Sequence, residues 1–233
     1  MKKYIIITLA LFSNLLSAQN RQVFEASSGE DISERVSEQI QYLFPDFVNG
    51  DVYLFGTPKV NGMLNYNMLV GEMQFLVNDK VFALSREPKA LMVTIDNRKF
   101  YPFKRSEFTE ELLSTGAHHL RVRRVGKAIP HSRRGAYGTW SSTASIQSYS
   151  SLNADNQVHS LNITERILVT VDSYYYIVGT NGKYKLIKNI KAFFKQFPGN
   201  NALIEAFVKE NNIRLKNEDD LKALLAYCAN LAN

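Results

Sequence analysis

The chain has 233 residues, 45% of them hydrophobic and 21% charged, with a formal net charge of +6. That length and balance fit one β-rich body, or a body with a compact appendage, and exclude a disordered chain, a collagen, a coiled coil and a multispan membrane protein. The single cysteine, Cys228, rules out an internal disulfide and a zinc ribbon, and a chain of this size can bury its core without either.

Met1-Lys2-Lys3 is a short basic start, Tyr4 to Leu16 is largely apolar, and Ser17-Ala18-Gln19 follows. This order is that of a secretory signal peptide, expected over residues 1–18, although Leu16 stands where a small residue is usual before the cut. Its apolar part falls short of the roughly 20 residues that span a bilayer. No later stretch is apolar enough to cross, so the remaining chain is expected to be exported with no transmembrane segment.

Residues 19–50 read as a lead-in followed by a short helix. Gln19 to Gly29 carries no periodicity, whereas Ile32, Val36 and Ile40 recur every four residues from Glu30 and predict an amphipathic helix ending before Pro45. Residues 51–187 form the expected antiparallel β body. Val52 to Phe55 is a compact apolar run; Leu64, Tyr66 and Met68 alternate with Met63, Asn65 and Asn67; Met73, Phe75 and Val77 alternate with Glu72 and Gln74. Asn78-Asp79-Lys80 turns the chain into Val81 to Leu84, and Asp96-Asn97 joins Leu91 to Ile95 with Phe100 to Phe103. Short strands with turn residues between them indicate a sandwich or an open barrel-like meander.

Phe108 to Leu113 fits a helix or a strand equally, and His118 to Val125 reads as a strand. Residues 132–151 contain 11 Ser, Thr or Gly in 20 and read as a long loop carrying Tyr137, Trp140 and Tyr149. Ile167, Val169 and Val171 alternate, Asp172-Ser173 is expected to turn, and Tyr174 to Val178 returns. An Asn181-Gly182 hairpin, with both residues at positive φ, leads into Tyr184 to Ile187. Residues 188–233 are expected to form a cap of three short helices: one stopped by Pro198-Gly199, one capped by Asn200 or Asn201, and one capped by Asn217 with Glu218, Asp219 and Asp220 in its first turn. Leu221, Leu224, Leu225 and Cys228 share one face of the last helix, which makes Cys228 a buried thiol rather than a reactive one. The fold class expected is thus α+β, mainly antiparallel β.

Charge is distributed unevenly. Residues 19–103 hold 8 basic and 11 acidic side chains, residues 104–134 hold 8 and 3, residues 135–182 hold 1 and 3, and residues 183–233 hold 9 and 5. On a strand, His119, Arg121 and Arg123 face one way and Leu120 and Val122 the other, so a cationic stripe is expected to stand in water, extended by Arg124, Lys127, Arg133 and Arg134. Converging guanidiniums suit phosphates, sulfates and carboxylates, although charge runs also serve solubility alone. Tyr137, Trp140 and Tyr149 could stack on sugar rings or pin their loop to the body.

No Gly-x-Ser-x-Gly, Gly-x4-Gly-Lys, His-Glu-x-x-His or Cys-x-x-Cys is present, and no cofactor is implied. His118 and His119 point to opposite sides of a strand, so no metal site is expected.

Tyr42-Leu43-Phe44-Pro45-Asp46-Phe47, Leu64-Asn65-Tyr66-Asn67, Glu72-Met73-Gln74-Phe75-Leu76 and Arg98-Lys99-Phe100, with the Tyr-rich strands and Phe197-Pro198-Gly199-Asn200, resemble uncharacterised exported proteins of Bacteroidetes-type bacteria. The resemblance implies a Gram-negative envelope location, periplasmic or at the cell surface, and a β body followed by helices. It carries no catalytic residues across.

The function expected is a non-enzymatic envelope protein whose 118–134 face binds an anionic glycan or lipid of the envelope, or a protein partner; nucleic acid is poorly placed outside the cytoplasm. Two alternatives stand beside it: a hydrolase built around His119 or His131, and an open β cradle for a lipid or other apolar ligand, which requires a cavity.

Overall fold

A computed structural model describes residues 21–26, 36–84, 90–104, 106–134, 140–141 and 165–231. The expected signal peptide lies outside them. The described chain is mainly antiparallel β, followed by helices. Its strands are β1 (Arg21–Ala26), β2 (Val48–Leu54), β3 (Val60–Asn67), β4 (Glu72–Val77), β5 (Lys80–Ala83), β6 (Ala90–Ile95), β7 (Arg98–Pro102), β8 (Phe108–Ser114), β9 (His119–Arg134), β10 (Trp140–Ser141), β11 (Glu165–Val178) and β12 (Tyr184–Leu186). They form one open sheet in the order β1-β11-β9-β8-β7-β6-β2-β3-β4-β5, with β10 added to β9 and β12 to β11. The helices are α1 (Glu38–Gln41), α2 (Lys191–Gln196), α3 (Asn201–Glu210) and α4 (Glu218–Leu231).

Two hairpins are set by left-handed residue pairs. Asn78 and Asp79 have φ of 49° and 60°, and Asp96 and Asn97 have 47° and 63°, the requirement of a type I′ turn, whose twist matches its strands. The Asn181-Gly182 turn is built differently: only Gly182 has positive φ, and its N–H donates to the Gly179 carbonyl.

The expected turn at Asp172-Ser173 does not form. Asp172 pairs with Val125 and Ser173 with Arg124, so β11 runs unbroken along β9 from Glu165 to Val178. The partner strand continues past both residues and supplies their ladder bonds, while Asp172 reaches Lys127 Nζ at 2.5 Å. Arg21 to Ala26, expected to be unstructured, adds to the other edge of β11, where the Glu165–Thr170 backbone would otherwise lack a ladder partner. Of the helix expected from Glu30 to before Pro45, residues 30–35 lie outside the described residues and only α1 is helical in the rest: Ser37 is extended with ψ of 144°, and Tyr42 is extended and bridged to Asn67.

The sheet curls because the β3–β4 connection folds back onto β8 and β9. The Gly126 N–H donates to the Leu69 carbonyl at 3.0 Å, and the Phe108 N–H to the Gly71 carbonyl at 2.8 Å. The fit depends on Gly126: a Cβ there would stand 2.8 Å from Leu69 Cα and 2.9 Å from its carbonyl oxygen. Gly126→Ala is therefore expected to cost about 1–3 kcal/mol, read as a lower urea midpoint, because backbone on both sides must shift.

One core, inside the curl, packs Phe44, Val52, Leu64, Tyr66, Met73, Val93, Ile95 and Phe100. A second lies where α2, α3 and α4 meet the sheet: Leu120 and Ile177 pack with Phe193, Ile204, Leu221, Leu224, Leu225 and Cys228. Burial pushes the Cys228 thiol up to about 12, as an inert packed sulfur requires. The Asn217 side chain accepts the Asp220 N–H at 2.9 Å and caps α4; Asn200 precedes α3 but makes no side-chain cap bond. Among the described residues no helix is long and apolar enough to cross a membrane.

Candidate functional site

The strand alternation expected for β9 holds: Leu120 and Val122 are buried on one side, and His119, Arg121 and Arg123 lie on the other. The free cationic stripe does not. Phe108 to Ser114 is a strand beside β9, and its register sets Glu111 across from Arg121. Glu111 Oε2 lies 2.8 Å from His119 Nδ1 and 3.7 Å from an Arg121 terminal nitrogen, and Glu107 binds Arg123 at 2.7 Å.

Aromatic rings cover the flat faces that remain. The Arg121 guanidinium stands 3.8 Å from the centroid of Tyr101 and 5.5 Å from that of Tyr184, and it donates to the Tyr184 hydroxyl at 2.6 Å. Arg123 lies between Phe103 and Tyr174, and Lys127, paired with Asp172, lies over Tyr174. Tyr174 and Tyr176 thus belong to one arginine–aromatic layer, and Tyr175 points to the helices.

Arg124 is displaced from the expected stripe altogether. It shares the Leu120–Val122 face, where it pairs with Glu110 and reaches Glu218 of α4 at 3.4 Å. Arg133 and Arg134 are described in backbone only: Arg133 pairs with Ser141 and Glu165, and Arg134 with Trp140. Tyr137 and Tyr149 lie outside the described residues, as does the Trp140 side chain. The stripe expected to meet an anion is, where its side chains are described, neutralised from within.

His119 and Glu111 approach closely without the alignment of a hydrogen bond. His119 Nδ1, Glu111 Oε2 and the Nε atoms of Arg121 and Arg123 are buried without a hydrogen-bond partner. His131, the other histidine considered for a hydrolytic site, is described in backbone only. His118 packs on Phe197 at 4.5 Å; burial, then the neighbouring His119, holds its pKa below the usual value.

A cavity of about 390 Å³ opens instead among β2, β3, β4 and β5, lined by Val52, Leu54, Leu64, Phe75, Val77 and Leu84 together with Val60, Met63 and Gly62. It continues the inner core: Val52 and Leu64 are buried members of that cluster, and Leu54, Phe75 and Leu84 pack against it. The register explains the shared face, since Val52 pairs with Val60, Gly50 with Gly62 and Leu64 with Phe75. Gly62 leaves the floor bare, for a Cβ there meets nothing within 4 Å. The alternating apolar residues were legible in the sequence; that the sheet curls without filling the space between them was not. No family model, curated protein or solved structure matches this chain.

Proposed function

We propose that this chain is an exported, non-enzymatic binding protein that holds a small apolar ligand, such as an acyl chain, in the cleft formed by β2 to β5. Export, to the periplasm or surface of a Gram-negative cell, rests on the basic–apolar–small-residue order of residues 1–18. The observation that carries the ligand reading is the apolar cleft of about 390 Å³, within the range of small-molecule sites and too small for a folded partner. Val60 at its rim is exposed, so apolar surface there remains open to water in the absence of a ligand.

The test is displacement of a fluorescent fatty acid by unlabelled saturated acids of increasing length. Each added methylene that enters the cleft contributes about 0.8 kcal/mol, so affinity is expected to rise about fourfold per carbon until the cleft is full. Gly62→Phe, which places a ring in open space, is expected to weaken binding about tenfold or more while leaving the melting temperature within a few degrees. Affinity that is independent of chain length, or unchanged in Gly62→Phe, would refute the reading.

A further inference from the structure

The β9 cations whose side chains are described have internal partners, but among the described residues a second group of cations has none. Between Asp172 and Glu205 the sequence contains no acidic residue and five lysines: Lys183, Lys185, Lys188, Lys191 and Lys195. The fold gathers four of them around one pocket. Lys185 leaves β12, Lys188 lies in the connection, and Lys191 and Lys195 are one turn apart on α2, whose opposite side buries Phe193. With Tyr184 and Asn189 they line a concavity of about 460 Å³. Among the described residues none of the four ammonium groups pairs with a carboxylate, although Lys59, Lys127 and Lys222 all do.

Four like charges around one hollow repel one another, and nothing described in the protein offsets them. An occupant carrying two or more negative charges would remove that repulsion and gain several charge-assisted hydrogen bonds. The concavity is too small to take up a polymer, which selects a compact anion. Lysine ammonium groups act as point charges and suit tetrahedral phosphate oxygens, while the Asn189 amide supplies a neutral partner at the wall.

We infer that the pocket between β12 and α2 binds a phosphate-bearing ligand, a phosphomonoester or pyrophosphate group, independently of the apolar cleft. Such a group could reach it on a soluble molecule or on a lipid head, and two probes separate these sources. The full chain would be titrated calorimetrically with inorganic pyrophosphate, and sedimented with vesicles of phosphatidylcholine containing phosphatidic acid. The expected result is pyrophosphate binding that weakens as salt rises from about 0.01 M to about 0.1 M, over which the screening length falls from about 30 Å to about 10 Å. Lys188→Glu/Lys191→Glu, at two exposed positions, is expected to abolish it while thermal unfolding is unchanged.

Cosedimentation that pyrophosphate competes away assigns the lipid source, and pyrophosphate binding without cosedimentation assigns a soluble one. Absence of binding to both probes, or equal binding by the double variant, would overturn the inference. The Gly62→Phe variant serves as a control: it is expected to keep pyrophosphate binding, which separates failure of this site from failure of the apolar cleft.

Discussion

Replacing Glu110 with glutamine is expected to lower the unfolding free energy by about 3 kcal/mol, at the low end of the range for removing one partner of a buried ion pair. Glu110 is 4% exposed, accepts from Arg98 Nε at 2.5 Å and pairs with Arg124, itself 11% exposed. Glutamine keeps one acceptor but no charge, which leaves both guanidiniums with less: Arg124 retains Glu218 at 3.4 Å, and Arg98 retains the face of Phe44. Arg98 is one-third exposed, so water screens part of its loss.

The same contact sets a pH dependence. Burial alone would raise the Glu110 carboxyl, but hydrogen bonding and charge from Arg98 and Arg124 more than reverse this, and its pKa lies below the ordinary 4.5. A depressed carboxyl contributes stability that is complete above the unfolded value and disappears as pH falls through the folded one. Below pH 4.5 the wild-type protein should therefore lose stability more steeply than Glu110→Gln, and the two urea midpoints should converge. Parallel curves down to strongly acid pH would contradict this assignment.

Asn65→Ala is the second large effect, expected at about 3 kcal/mol. The Asn65 amide donates to the carbonyls of Phe44 at 2.9 Å and Asp46 at 3.0 Å, and its oxygen accepts the N–H groups of Phe44 and Tyr66. It is buried, so truncation leaves backbone groups unsatisfied without admitting water freely. Asn65→Asp should not restore stability, because a carboxylate accepts but cannot donate to the two carbonyls. Amide exchange at Phe44, whose N–H donates to Asn65, should be slow in the wild-type protein and accelerate in both variants; protection that persists would show that the 42–47 segment is held by other means.

Much of the sheet was legible because its devices are local. The alternation of Met73 and Phe75 with Glu72 and Gln74, and the Asn-Asp and Asp-Asn turns, carry their geometry within a few residues. Asn65 was not legible: period-two alternation with Leu64 and Tyr66 assigns it to a polar face, yet it is buried because a distant segment supplies three of its four hydrogen bonds. The unbroken β11 was hidden for a related reason. Asp172-Ser173 carries turn chemistry, and only the length of β9 opposite decides that the ladder continues.

The candidate site misled for a single cause. Phe108 to Leu113 fitted a helix or a strand, and only the strand sets Glu111 across from Arg121 and Glu107 and Glu110 within reach of Arg123 and Arg124. The acids lay in the same window as the arginines, and their excess of positive charge on paper was paired locally in space. The unpaired cations were present in the sequence as five lysines without an acid. Averaging them with Glu205, Glu210 and the acidic first turn of α4 concealed them.

The most direct test of the ligand-binding account uses the leucine methyls, followed by carbon–proton correlation. Leu54 and Leu64 line the cleft on the face shared with Val52 and Phe75, whereas Leu224 and Leu225 lie in the helical core. Titration with laurate is predicted to move the Leu54 and Leu64 methyls to saturating new positions while those of Leu224 and Leu225 stay in place, and Gly62→Phe is predicted to suppress that movement. Leu64 signals unmoved at saturating laurate, or a uniform drift of all the methyls, would contradict the account.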